Sequence, residues 1–154
     1  MTIKKIKQWL NFDWLKKAEL VELDDVDVSK DPVRPELDIK FRTSYGRKIY
    51  GLKHDDQIKA VMCFAFTNDV PKTVEELDEL SKDAYLQATH RAGVQGSIAI
   101  AYTVWSLQKG GGKMIVDEVF KMIKQSNHLN RLVTLSPLTD ICLLYTSDAA
   151  DEQL

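Results

Sequence analysis

Residues 97–136 read SIAIAYTVWSLQKGGGKMIVDEVFKMIKQSNHLNRLVTLS, and this stretch decides the fold. SIAIAYTVW (97–105) is a continuous apolar run of strand length. LQKGGGK (107–113) is a glycine-rich turn. MIVDEVFKMIKQS (114–126) sets Ile115, Val119, Met122 and Ile123 at helical spacing, and RLVTLS (131–136) returns to a strand that Pro137 ends. Strand, glycine turn, helix and strand make a βαβ-type unit. A glycine turn between a strand and a helix is in principle a phosphate cradle. The helix N-terminus offers unpaired amides and a partial positive charge. Glycine lets the backbone approach an anion closely, and Lys109 and Lys113 add charge that suits a pyrophosphate. The turn matches neither G-x-x-x-x-G-K-[ST] nor GxGxxG. On pattern alone, a plain strand-to-helix connection explains it equally well.

Upstream, IKAVMCFAF (58–66) is mostly apolar and fits a central strand buried on both faces. Asp55-Asp56-Gln57 separates it from a strand holding Ile49, Tyr50 and Leu52, so residues 46–68 form a hairpin that follows a turn at Tyr45-Gly46. Leu37, Ile39 and Phe41 alternate with charged residues, as a half-buried strand does. Residues 21–36 are acidic, contain Pro32 and Pro35, and read as a loop. Residues 3–20 carry Ile3, Ile6, Trp9, Leu10, Leu15 and Leu20 among lysines, at the spacing of a helix lying on its own domain. Thr73 and Glu76 are spaced as a capping box that opens a helix over about 74–90, and residues 91–96 form a polar break.

The chain has 154 residues, one domain by length, and its 44% hydrophobic and 29% charged content is that of a soluble globular protein. No apolar run approaches the roughly 18 residues of a membrane helix, and the N-terminus lacks a signal-peptide core, so a cytoplasmic protein without a membrane partner is expected. A net charge of −2 gives no footprint for nucleic acid. Two cysteines, Cys63 and Cys142, make no disulfide scaffold and no zinc site, and Cys63 reads as a small buried hydrophobe. His54, His90 and His128 fall in no triad or metal spacing and read as surface residues. Tyr102 reads as core, and Glu76 as a cap rather than a base.

The order of elements resembles the acyl-CoA-binding core of the GNAT superfamily of N-acetyltransferases. The resemblance implies an α/β (α+β) fold, with a mixed, mostly antiparallel sheet flanked by helices. The family turn is [Q/R]-x-x-G-x-[G/A]. Its glycines fall on Gly110 and Gly112, and Leu107 stands where the family has Gln or Arg, with Gln108 and Lys109 one and two residues later. The resemblance implies acetyl-CoA or another acyl-CoA as cosubstrate and no metal. Its pyrophosphate would lie on Gln108, Lys109, Gly110, Gly111, Gly112 and Lys113, and its pantetheine arm along Ala101, Tyr102, Thr103 and Val104.

Three segments are similar to the catalytic domain of the malonyl-CoA decarboxylase family, which shares that fold. They are residues 46–77 (the hairpin and the turn into a helix), residues 97–120, and VTLSPL (133–138), which resembles the family's TLSPIP segment. In that family the Ser of this segment works with a later His. The resemblance therefore implies a catalytic role for Ser136, and the His has no counterpart here. The reading drawn from these likenesses is an acyl-CoA-dependent acyltransferase of the N-acetyltransferase type, acting on an unidentified acceptor. A decarboxylase-like acyl-CoA enzyme is one alternative, and a non-catalytic CoA- or partner-binding domain is another.

Residues 142–152, CLLYTSDAADE, resemble a translated sequencing-adapter read-through. On that reading residues 1–141 are a single domain incomplete at its C-terminus, and 142–154 are a foreign tail. Taking Asp148, Asp151 and Glu152 away moves the net charge from −2 to +1. The strand at 131–136 would then be an exposed sheet edge beside an incomplete acceptor pocket.

Overall fold

The structure, a computed structural model, describes residues 17–91, 96–135, 142–146 and 152–153. One sheet organises the chain. Its strands are β1 (Glu19–Leu23), β2 (Lys48–His54), β3 (Gln57–Thr67), β4 (Ile98–Ser106), β5 (Arg131–Leu135), β6 (Cys142–Thr146) and β7 (Glu152–Gln153). Their order in the sheet is their order in the sequence. β4 and β5 are parallel, and the other neighbours are antiparallel. The helices are α1 (Ile39–Thr43), α2 (Val74–Ser81), α3 (Asp83–Arg91) and α4 (Gly111–Gln125), with a 3-10 turn at Val28–Lys30. This is the mixed, mostly antiparallel α+β fold that the sequence implies.

The β2–β3 hairpin turns on Asp55 and Asp56, both left-handed (φ 51° and 60°), the backbone of a tight two-residue hairpin turn. β3 is buried from Ala60 to Thr67, so its alternate side chains feed two cores. Val61, Cys63 and Ala65 join Ile49, Ile100, Tyr102 and Leu77 on the face covered by α1, α2 and α3. Ala60, Met62, Phe64 and Phe66 join Leu52, Ala101 and Leu132 on the other face, under Ile115, Val119, Phe120 and Ile123 of α4.

Four expectations change. Leu37, Ile39 and Phe41 do pack against the sheet, but Ile39–Thr43 is a short helix rather than a strand. The Asp38 carboxylate caps it by accepting from the Phe41 amide at 2.8 Å. Residues 19–23, read as the end of a helix and the start of a loop, form β1, whose Leu20 pairs across from Leu52. Residues 3–16 of that expected helix lie outside the described residues.

The helix expected over 74–90 is two helices, broken at Lys82, whose ψ of 157° is extended. Arg47 holds the break. Its Nε and Nη2 donate to the Ser81 carbonyl at 3.1 and 2.8 Å, and Nη2 also reaches Asp83 at 2.5 Å. Thr73 caps α2, as its spacing to Glu76 implies. Thr73 Oγ1 accepts from the Glu76 amide at 3.1 Å, and Glu76 accepts from the Lys72 amide at 2.8 Å. Lastly, the edge of β5 is not bare, because β6 pairs with it from Arg131↔Thr146 to Leu135↔Cys142.

Candidate functional site

The glycine turn is built by its neighbours. β3 carries an extra residue, Lys59, between the pairs Leu52↔Ala60 and Lys53↔Ile58. The Lys59 carbonyl accepts the Leu107 amide at 2.8 Å and pins the chain as it leaves β4. Ser106 Oγ donates to the Gln108 carbonyl, and the Gly111 amide donates to the same carbonyl at 2.9 Å. α4 begins at Gly111, three residues earlier than its apolar spacing predicts, so Gly111, Gly112 and Lys113 form its first turn.

The three glycines are there for different reasons. Gly110 is the N-cap, at φ 86°, where a side chain is strained. A Cβ on Gly111 would lie 2.7 Å from Ser106 Oγ and 2.9 Å from the Lys59 carbonyl. Gly112 has neither constraint, since its nearest neighbour would be Ser106 Cβ at 3.9 Å. Its effect is to leave the first turn of the helix uncovered. No described residue accepts the amides of Gly112 or Lys113, no side chain caps the helix, and its first turn carries no acid. Lys109 and Lys113 are exposed on either side. Bare amides, a helix N-terminus and two lysines make a surface suited to a phosphate group.

β4 supplies the rest. It pairs with β5 only over Ile98–Ala101, then runs on through Tyr102–Ser106 with no strand on that side among the described residues. A bulge marks the parting: Cys63 pairs with Thr103 and Phe64 with Ala101, leaving Tyr102 as the extra residue. Ala101, Tyr102 and Thr103 are buried, and Val104 is half-buried. What the first three can offer a ligand is therefore backbone. The Tyr102 ring meets Phe41 edge-on at 5.8 Å, and its hydroxyl and Trp105 Nε1 are buried without a hydrogen-bond partner among the described residues. Burial, followed by the nearby Cys63, raises the Tyr102 phenol well above its ordinary range, so it stays neutral. Burial pushes the Cys63 thiol up to about 11, which fits a buried hydrophobe and not a nucleophile.

Sequence reasoning missed the segment 31–42, which straps this strand. Asp31 is buried, and its carboxylate accepts from the amides of Val33 (2.9 Å) and Arg34 (3.0 Å), from Arg42 Nη1 (2.9 Å) and from Thr103 Oγ1 (2.9 Å). Burial opposes the charge, yet these donors outweigh it and hold the carboxyl below its usual range. Arg42 also donates to the carbonyls of Leu37 and Arg34, at 2.8 Å each. Arg34 donates from Nε to the Tyr102 carbonyl at 2.8 Å, and its Nη2 pairs with Asp78. The one signal in the sequence was Asp31 followed by Pro32, an Asx-turn pattern that orders a loop without revealing its partner.

His54 is half-buried, and His128 Nε2 lies 3.1 Å from the Gly96 carbonyl. Ser136 lies outside the described residues, as do the side chains of His90 and Cys142. Among the described residues no helix is long and apolar enough to cross a membrane.

No protein-family model matches the chain, and no curated protein sequence matches it. Among solved structures it is similar to malonyl-CoA decarboxylase from Cupriavidus metallidurans, at 19% identity and a TM-score of 0.55. The match covers 84% of this chain and 33% of that one, so the chain spans about a third of that enzyme's length. The likeness establishes the fold, a mixed sheet flanked by helices.

Proposed function

We propose that the chain binds an acyl-CoA along the free edge of β4, with the pyrophosphate on the N-terminus of α4. One observation carries this reading. β4 runs past its parallel partner and ends at a bare, glycine-lined helix N-terminus for which Gly112 has no structural need. The amides of the first turn and Lys109 and Lys113 would hold the pyrophosphate. The pantetheine arm, which carries amides, would add to the strand edge as an extra strand does. From Ser106 back to the bulge at Tyr102 is four residues, roughly 13 Å of strand, comparable to an extended pantetheine arm. The thioester then arrives at the bulge. Leu107, 48% exposed where acetyltransferases have Gln or Arg, offers the cofactor an apolar contact in place of a polar one.

For the chemistry, we favour a decarboxylase-like enzyme over the amine acyltransferase that element order alone suggests. The VTLSPL segment and the likeness in fold both support this choice. In such a reaction the bond to the acyl carboxylate breaks, carbon dioxide leaves, and the electron pair passes into the thioester enolate until a proton reaches carbon. Backbone donors near the bulge would polarise the thioester oxygen, and Ser136 is the proposed side chain on the reacting group.

Calorimetric titration of the full chain with CoA, acetyl-CoA and malonyl-CoA tests the binding, and chromatography of malonyl-CoA incubations tests the chemistry. Binding of all three and production of acetyl-CoA are expected. Absence of binding overturns the site. CoA release from acetyl-CoA on addition of an amine, without decarboxylation, restores the acyltransferase reading.

A further inference from the structure

The bulge in β4 decides which backbone groups face the groove, and two hydrogen bonds fix their directions. The Leu107 amide points to β3, where it meets the Lys59 carbonyl at 2.8 Å. The Ser97 carbonyl points to the β5 side, where it accepts from the Asn130 amide at 3.0 Å. Along a strand, the N–H and C=O groups of successive residues alternate between the two edges. Back from Leu107, Trp105 and Thr103 therefore face β3, and Ser106 and Val104 face the open edge. Forward from Ser97, Ala99 and Ala101 face β5. Tyr102, the extra residue, absorbs the change of phase. The Thr103 amide faces β3, and a trans peptide sets N–H and C=O on opposite sides, so the Tyr102 carbonyl is turned to the open edge. An acceptor thus stands at the inner end of the groove, just past the point where Ala101 pairs with Thr134. Arg34 covers it, donating from Nε at 2.8 Å.

We propose that Arg34 inverts the polarity of the groove's inner end, so that a thioester oxygen can be held there. This rests on the acyl-CoA reading above and is independent of which reaction follows. A bare carbonyl at that end would repel the thioester oxygen, and would repel it more as negative charge grows on it. Arg34 occupies the Tyr102 carbonyl and sets a cation beside it. The guanidinium is held for this task. The Arg34 amide donates to Asp31 at 3.0 Å, and Nη2 pairs with Asp78. Arg42 and Arg47 on the same face are fully buried, with their donors spent on the fold, whereas the Arg34 side chain is 19% exposed and reaches the groove. Arg34 is therefore a positioning residue that acts through the Tyr102 carbonyl. Val104, the first residue beyond the bulge to face the open edge, supplies the amide that the oxygen meets.

The test titrates the full chain, R34M, R34K and D78N with CoA, acetyl-CoA and S-ethyl-CoA, the thioether that lacks the carbonyl oxygen, with thermal unfolding as the check on folding. The wild-type chain is expected to bind acetyl-CoA about tenfold tighter than S-ethyl-CoA, the range of one hydrogen bond. R34M keeps the arginine stem's bulk and is expected to lose that preference while holding S-ethyl-CoA within about twofold of wild type. R34K is expected to recover part of it, since one ammonium cannot serve both the carbonyl and Asp78 as the fork does. Infrared spectra of acetyl-CoA carrying carbon-13 at the acetyl carbonyl add a readout that a purely structural role does not move. The bound carbonyl should absorb at lower frequency on the wild-type chain than on R34M. An R34M chain that keeps the preference or the frequency overturns the proposal, as do equal wild-type affinities for acetyl-CoA and S-ethyl-CoA. If R34M does not fold, D78N decides: removing the counter-charge raises the preference for acetyl-CoA, and an unchanged or lower preference overturns the proposal. Failure of the wild-type chain to bind any of the three ligands, CoA included, is told apart from these results, because it removes the acyl-CoA site itself and the proposal with it.

Discussion

At the scale of single residues, a glycine triplet has three separate explanations. Gly110 answers to its dihedral angle and Gly111 to its neighbours, and only Gly112 is left for a ligand. Gly112→Asp separates these roles. An acid in the first turn suits the helix dipole and replaces the poorest helix former short of proline, so stability should rise by about 0.5–1 kcal/mol in chemical denaturation. The same charge faces any pyrophosphate, and CoA affinity should fall about tenfold or more by calorimetry. A chain that gains stability and keeps its affinity would place the phosphate elsewhere. The turn itself is legible in the sequence, because glycines and lysines between a strand and a helix stand together in one dimension, whereas a ligand for it is not. It did not display Arg34 or Arg42. Arg34 reaches Tyr102, 68 residues away, and Arg42 closes a fork on Asp31, Leu37 and Arg34 inside a loop, and no local pattern encodes either pairing.

At the scale of elements, hydropathy located burial better than it located conformation. The alternation at Leu37, Ile39 and Phe41 correctly marks residues that touch the core, but Asp38 caps a helix there. The apolar face from Val74 to Ala88 reads as one helix, but a guanidinium contributed by residue 47 interrupts it. Arg47 lies stacked 3.6 Å from the centre of the Phe41 ring, buried between α1 and the α2–α3 junction. Arg47→Met should cost about 3 kcal/mol in urea unfolding, since it strands the Ser81 and Phe41 carbonyls without donors. Arg47→Lys should recover only part of that loss, because one ammonium cannot reach every acceptor of a fork. The bulge at Tyr102 was equally illegible: SIAIAYTVW carries no mark of the extra residue, which exists only relative to β3.

At the scale of the whole molecule, the buried strap gives stability a defined dependence on pH. The folded-state carboxyl of Asp31 titrates below its unfolded value of about 3.9, so its contribution is complete above that value and is lost as pH falls through the folded one. The urea midpoint should hold steady from pH 7 to about 5 and fall below about pH 4, and Asp31→Asn should flatten the acid limb while lowering the plateau. Lys48 works at the other end. Its hydrogen bond to Glu22 raises it, so its contribution is complete below about pH 10.4 and fades above. The sheet, finally, follows the order of the sequence, and this shapes how the chain is made. Each strand leaving the ribosome finds its neighbour already at the growing margin; β2 and β3 close over two residues, while 24 residues separate β1 from β2 and 30 separate β3 from β4. The step from β4 to β5 differs in being parallel, so α4 must form and cross over before the pair can register. The proposed ligand groove opens where those two strands part, so it takes shape only once the α4 crossover has been made.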